Sequence, residues 1–286
     1  ALITGSIYAL ASSGLAITYG LLKILNFAHG HLMMVGAYIF YLASVQIGLS
    51  LPLSAFFTII VGGGLAAVSL LFFVEPFLKY SFFLVFVTTL ALSTILESAI
   101  SMIFGVNVKS LSQGYDTQSI EFWGIYITPI QIGIIVSAIL ILGILGFIIH
   151  FTSVGRRIRS LSEHPYGAQA IGVNRKKVNL FCFIIATLLA CYAGIMVGFE
   201  TNIQPTMGNS FTIKAFAAMI LGGLGNMWGT VAGAYILGFV ENLSIGFEFG
   251  GYSIPAGYKD AFAFLIILLI LLFKPKGLFL KESRSA

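Results

Sequence analysis

Apolar residues in this chain come in long continuous runs that do not alternate with polar ones. Six runs read at 2–22, 25–46, 52–75, 80–104, 129–151 and 178–200, and a seventh at 255–273. A helix needs about 20 apolar residues to cross about 30 Å of hydrocarbon, because its backbone N–H and C=O groups must be satisfied within the element. A membrane β-barrel would show short alternating segments instead. The stretch 211–243 is too long for one ordinary span and is interrupted by Gly222, Gly223, Leu224, Gly225 and Asn226. The pattern predicts an all-α, polytopic transmembrane helical bundle of about eight membrane segments, one of them broken or re-entrant. It forms a single transmembrane domain, 1–286, with a basic loop at 152–179 and a tail at 274–286.

Composition agrees. Of 286 residues, 58% are hydrophobic and 9% charged, with a mean hydropathy of +1.01. A water-soluble domain carries about 25% charged residues, so soluble-enzyme and nucleic-acid-binding readings fall away despite the net charge of +5. The first run has no basic residues before it and is not a cleavable signal peptide, although the abrupt start leaves room for missing upstream residues. Cys182 and Cys191 lie nine residues apart and face opposite sides of a helix, which argues against a disulfide between them.

Charge then orients the bundle. Arg156, Arg157, Arg159, Arg175, Lys176 and Lys177 fall in 152–179, and Lys274, Lys276, Lys281 and Arg284 in the tail. Short cytoplasmic loops retain Lys and Arg, so both segments are expected inside and the N-terminus outside. That parity needs an even number of crossings in 211–243. The glycine-rich break supplies it, as two arms, 213–223 and 228–243, that are either re-entrant or separate short spans. Irregular backbone at membrane depth is tolerated only when buried or lining a wet cavity, which puts Gly222 to Asn226 near a pathway or a helix crossing.

A weak internal repeat links this break to the beginning of the chain. Val35-Gly36-Ala37-Tyr38-Ile39 recurs as Ala232-Gly233-Ala234-Tyr235-Ile236, each after an Asn in a break, Asn26 and Asn226. Paired broken helices point to a substrate site in transporters, while helix packing through small residues explains the same letters. Polar residues inside the runs are costly and so are functional candidates. Glu97 reads as a snorkelling or hydrogen-bonded carboxylate rather than an ion relay. Asn26, His29, Gly30 and His31 cluster at the expected inner boundary, where Asn26 either caps the following helix or lines a gate. His29 and His31 cannot share a helical face, which argues against a metal pair. Glu241 and Asn242 end the second arm, and Glu200 and Glu248 read as outer-boundary charges. No zinc motif, nucleophile elbow or phosphate-binding loop occurs, so no catalytic, metal or cofactor residue is assigned.

The loop 152–179 is the most specific feature. Gly155-Arg156-Arg157-Ile158-Arg159, followed by Glu163-His164-Pro165, Ala168, Ala170 and Gly172-Val173-Asn174, resembles the cytoplasmic coupling segment of bacterial ABC importer permeases of the branched-chain amino acid family. Similar stretches continue through Ile24 to Gly30, Lys214 to Asn226, and Gly257 to Ala261 followed by Phe273 to Leu278. The length is more similar to the shorter of the two permeases that such transporters pair.

This resemblance implies ATP-driven import by alternating access. It implies a second homologous permease, two cytoplasmic ATPase subunits and a periplasmic or extracellular substrate-binding protein, in a bacterial inner membrane. Glu163, His164, Pro165, Ala168, Ala170 and Gly172 would couple to the ATPase. Asn26, His29, Gly30, Gly222, Gly223, Gly225 and Asn226 are the pathway or gate candidates. Independently of the family, a short helix of small residues flanked by bases fits a groove in a soluble partner, while the alternative is a loop held at lipid headgroups by its bases. Branched-chain amino acids suit an apolar lining, but the family also includes urea and short-amide transporters. A secondary transporter would need several intramembrane acids, and a channel would need no coupling segment.

Overall fold

The computed structural model describes residues 1–112, 119–122, 125–246, 248–249, 252–253, 259–274 and 277–279. The long apolar runs become helices with local sequence reasons for their ends. α1 spans Leu2–Leu22 and stops at Lys23, which takes a left-handed conformation, φ 57°. α2 spans His29–Tyr41 and runs on as a π-helical segment, Leu42–Gln46. α3, Leu51–Val68, begins with a proline in its first turn and also ends in a π-helical segment, Ser69–Val74. α4, Phe82–Phe104, is capped by Ser81. α5, Pro129–Phe151, starts on a capping box in which Thr128 and Gln131 satisfy each other's backbone N–H.

The basic loop is itself helical. α6 spans Ser153–Glu163, α7 Pro165–Ala170, and Asn174 caps α8, Arg175–Glu200. α9, Met207–Gly222, and α10, Met227–Gly246, meet at 118°, and α11 spans Lys259–Phe273. Two small antiparallel hairpins lie between helices: β1, Ile120–Phe122, with β2, Ile125–Ile127, and β3, Glu248–Phe249, with β4, Tyr252–Ser253.

Burial sorts the spans into a centre and a periphery. The membrane-length window of α1 is 78% buried, against 28% for α4 and for α5. α1 packs against α5, α8, α9 and α10, and it is the least apolar of the five long spans. This inverts the soluble pattern, because lipid demands apolar side chains on the outside while small and hydroxyl residues let helices approach at the centre. The exposed apolar faces of α3, α4 and α5, including Phe56, Phe72, Phe83, Ile139 and Phe147, therefore meet hydrocarbon or another apolar surface.

The ends of the bundle can be followed through contacts. Gly225, in the α9–α10 turn, lies against Gly20 near the end of α1, while Asn242 near the end of α10 donates to Thr4 Oγ1 at 3.2 Å. α10 thus runs antiparallel to α1 over its full height. α9 runs toward the basic end and α10 away from it, as the two arms that the glycine-rich break predicts. The end carrying Lys23, α6 and the α9–α10 turn is called the basic end below. An ion pair of 3.7 Å between Lys176 and Glu75 puts the α3–α4 connection at that end as well.

Candidate translocation site and coupling surface

The sequence reading starts the second span at residue 25 and puts Asn26, His29 and His31 at a membrane boundary. Both expectations are corrected. From Lys23 the chain turns back into the bundle without helical structure, and α2 begins only at His29. The His29 Nε2–H donates to the carbonyl of Ala11, half-way along α1, at 2.8 Å. The start of α2 therefore lies deep within the bundle, and its irregular lead-in is buried in protein as such backbone must be.

Side chains supply the acceptors that a mid-membrane helix start lacks. Phe27 N donates to Thr89 Oγ1 at 3.3 Å, Ala28 N to Asn26 Oδ1 at 3.1 Å and Gly30 N to Thr212 Oγ1 at 3.0 Å. Asn26, only 2% exposed, does a capping residue's work from two positions before the cap, which is Ala28. The Phe27 ring wedges between Phe86 and Phe216, each 4.8 Å away. His29 and His31 point to different helices, as their spacing requires: His29 to α1 and His31 to α4.

Two polar clusters flank this start. Glu97 Oε2 accepts from His31 Nε2 at 3.2 Å and from Asn209 Nδ2 at 3.1 Å, so the hydrogen-bonded reading of Glu97 describes it well. The second cluster escaped the sequence reading. Lys214 Nζ lies 3.0 Å from Glu241 Oε1, Tyr8 donates to Glu241 Oε2 at 2.6 Å, and Lys214 donates to the Tyr8 oxygen at 2.9 Å. The charged side chains are 8% and 3% exposed. One base and one acid within neighbouring arms of the same hairpin were the available signal, since a lone charge at that depth needs a counter-charge.

The glycine-rich break is a different place. Gly225 meets Gly20, nine residues below Ala11 on α1, or about 13 Å along the helix at 1.5 Å per residue. The gate candidates thus divide into a buried group, Asn26, His29 and Gly30, and a basic-end group, Gly222, Gly223, Gly225 and Asn226. In the second group the backbones of Gly222 and Gly229 approach so closely that a Cβ on either would overlap the other's carbonyl. Asn226 caps α10, accepting from Gly229 N at 3.1 Å, and donates to Phe279 O at 3.2 Å. Leu278 N donates to Leu221 O at 2.9 Å, tying the segment after α11 to the same turn. A cleft of about 320 Å³ opens beside it, with Gly20, His150, Arg159, Asn226 and Trp228 in its walls.

The repeated Gly-Ala-Tyr stretches occupy helix crossings. Gly36 lies against Cys191 of α8, and Gly233 against Ala218 and Gly222 of α9. Cys182 and Cys191 are both free and buried. Glu200 accepts from Gln131 Nε2 at 3.1 Å. The Glu248 side chain, Gly257, Tyr258, Lys276, Lys281 and Arg284 lie outside the described residues.

At the basic end, α5 turns sharply into α6. Thr152 serves both helices, donating to Ile148 O at 2.6 Å and accepting from Gly155 N at 3.2 Å. Arg159 reaches back to cap α5 at Ile149 O, and Ser162 Oγ donates to Gly20 O at 2.6 Å, fastening α6 to α1. α7 follows, with Pro165 in its first turn and Gly172, at φ 87°, closing it. Glu163, His164, Ala170 and Gly172 are exposed, but Ala168 is 3% exposed and packs inward. What protrudes is larger than the small residues expected from the sequence: Tyr166 and Ile171 are 87% and 78% exposed.

Comparison with known proteins completes the picture. Residues 1–271 match the family model described as the branched-chain amino acid transport system / permease component. The chain is 31% identical to the high-affinity branched-chain amino acid transport system permease protein BraD of Pseudomonas aeruginosa, covering 97% of this chain and 92% of BraD. It is 28% identical to the permease protein LivH of Escherichia coli strain K12, over 96% and 91% of the two chains. The ribose import permease protein RbsC of the same organism is 29% identical over 55% of this chain and 51% of its own length. Among solved structures, PsaBC from Streptococcus pneumoniae in complex with Fab shares the fold, with a TM-score of 0.50 and 15% identity over 96% of this chain and 91% of that one. This multi-pass membrane chain therefore belongs to the family of permease components of the branched-chain amino acid transport system.

Proposed function

We propose that the chain is the permease of an ATP-driven importer that moves branched-chain amino acids inward by alternating access. ATP is hydrolysed by two separate cytoplasmic subunits, a second homologous permease completes the pathway, and a periplasmic or extracellular binding protein delivers the substrate. The basic end faces the cytoplasm and the N-terminus faces outward. One observation carries the coupling role: a short helix, α7, that projects Tyr166 and Ile171 from the basic end while Ser162 fastens the preceding helix to α1. A protruding aromatic residue with an aliphatic neighbour is the kind of anchor that fills a pocket on a partner. Glu163, His164, Pro165, Ala170 and Gly172 shape that projection, and the inward-facing Ala168 seats it.

The buried start of α2, with Asn26, His29 and Gly30, is the element that changes access at depth, and the turn Gly222 to Asn226 relays movement from α6 and the tail. Uptake of labelled leucine and of labelled urea into vesicles holding the complete assembly tests the reading. ATP-dependent leucine accumulation supports it, whereas urea accumulation without leucine overturns the substrate. A cysteine placed at Arg157 and labelled only from the cytoplasmic face of cells checks the orientation.

A further inference from the structure

Two acids sit well inside the described spans, and their surroundings differ in kind. Glu241 is 3% exposed and neutralised by Lys214. Glu97 is 28% exposed and has no Lys or Arg beside it among the described residues. Its two donors among the described residues, His31 and Asn209, converge on Oε2. That leaves Oε1 without a protein partner among the described residues, on a side chain that is 28% exposed.

The surface around it is also unlike the rest of the periphery. Thr94 and Ser98 neighbour Glu97 along α4, Asn209 bonds it from the start of α9 with Ser210 following, and all four are exposed; Ile213, one turn beyond Asn209 along α9, is 53% exposed. A carboxylate beside exposed hydroxyl and amide groups does not face hydrocarbon, because intramembrane ionisable groups turn to a water-filled cavity or to a counter-charge. An α-amino acid with a branched aliphatic side chain carries a compact cation next to an apolar group, and the strip offers a free carboxylate oxygen together with Ile213, one turn along α9 from the Asn209 that bonds the carboxylate.

Resting on the import reading above, we infer that Glu97 Oε1 receives the α-ammonium group of the substrate during its passage, with His31 and Asn209 as positioning residues that hold the other oxygen. A single anionic oxygen with hydroxyl and amide neighbours gives an attraction that is selective for the ammonium yet weak enough for onward release. The delivery protein supplies the affinity, and Glu97 ensures that the cation crosses the low-dielectric region with a partner.

The test uses the complete assembly in vesicles with a leucine-loaded delivery protein. Glu97→Gln keeps the hydrogen bonds to His31 and Asn209 but removes the charge. It should slow leucine uptake at least about tenfold, the scale of one charge-assisted hydrogen bond, without loss of the second permease or of thermal stability. In the wild-type assembly, a lipophilic carbodiimide should label Glu97, and leucine or 3-methylbutylamine should protect it, whereas 4-methylpentanoate, which lacks the ammonium, should not. Wild-type uptake by Glu97→Gln, or equal protection by 4-methylpentanoate, overturns the assignment. Dissociation of the second permease from Glu97→Gln also overturns it, assigning the carboxylate to a subunit contact. If the wild-type vesicles take up no leucine, the import reading is what fails, and protection by the amine against the acid still decides the role of Glu97.

Discussion

Removing one member of the Lys214, Glu241 and Tyr8 cluster should cost far more than removing both charges. At 3.0 Å the ammonium and carboxylate attract by about 5–6 kcal/mol at an effective dielectric constant of about 20. Most of that offsets the cost of taking both groups out of water. Glu241→Gln keeps an acceptor for Tyr8 but removes the carboxylate that lies 3.0 Å from an ammonium 8% exposed, and breaking a buried pair in this way costs about 3–5 kcal/mol. Lys214→Met strands the carboxylate at a similar cost. The double variant, Lys214→Met with Glu241→Gln, keeps the Tyr8 contact, buries no net charge, and should lie within about 1–2 kcal/mol of the parent, since apolar replacement of a buried pair is often neutral. SDS titration of the purified protein in mixed micelles, read by loss of native helix signal for all four proteins, gives the coupling energy. A Glu241→Gln variant within about 0.5 kcal/mol of the parent, or a double variant whose loss equals the sum of the singles, would refute a mutually dependent buried pair.

Other consequences are simpler. Tyr166→Ala should leave stability unchanged, because the ring is 87% exposed, and weaken ATPase retention about tenfold or more, a cost above 1 kcal/mol at an anchor; co-purification at parental stoichiometry after stringent washing would refute this. Gly155→Ala should destabilise the α5–α6 bend by about 1–3 kcal/mol, because its Cβ overlaps the Ile149 carbonyl, and thermal melting in detergent measures the loss. His29→Ala should cost about 2 kcal/mol for the vacated core volume and remove the hydrogen bond that ties α2 to the Ala11 carbonyl, so a variant with parental melting and uptake would show that α2 needs no tether to α1. Cys182 and Cys191, both buried, should resist maleimide in the native protein and react fully in SDS.

Element existence was legible because the bilayer imposes it. Runs of apolar residues long enough to span became α1, α3, α4, α5 and α8 within a few residues of their expected limits. The charge count also called for two arms in 211–243, and α9 and α10 form a pair bent at the glycine-rich break. What the pattern could not convey is depth. Residues 25–28 are as apolar as a span, so hydropathy merged them with α2, whereas the non-helical lead-in depends on Thr89 and Thr212, more than 60 and 180 residues away in sequence. Lys214 and Glu241 escaped for the same reason, being unremarkable singly and interpretable only once the hairpin brings them together. The small residues of the coupling segment do not reveal Tyr166 and Ile171, because its packing face needs the small Ala168 while its outer face carries the large side chains.

The burial of α1 also bears on how the protein is made. α1 precedes its main neighbours α8, α9 and α10 by more than 150 residues, so during synthesis it resides in lipid before its neighbours exist. Its sequence suits that wait. Ser12, Ser13 and Thr18 all donate to carbonyls of their own helix, at Ala9, Leu10 and Gly14 or Leu15, and so carry no unmet hydroxyl into hydrocarbon. Ser6 and Tyr8 alone among its buried polar groups take distant partners, Tyr235, Glu241 and Lys214, all on the hairpin that arrives late. The most buried of the long spans is thus an early arrival whose long-range side-chain contacts wait for α9 and α10 to close onto it.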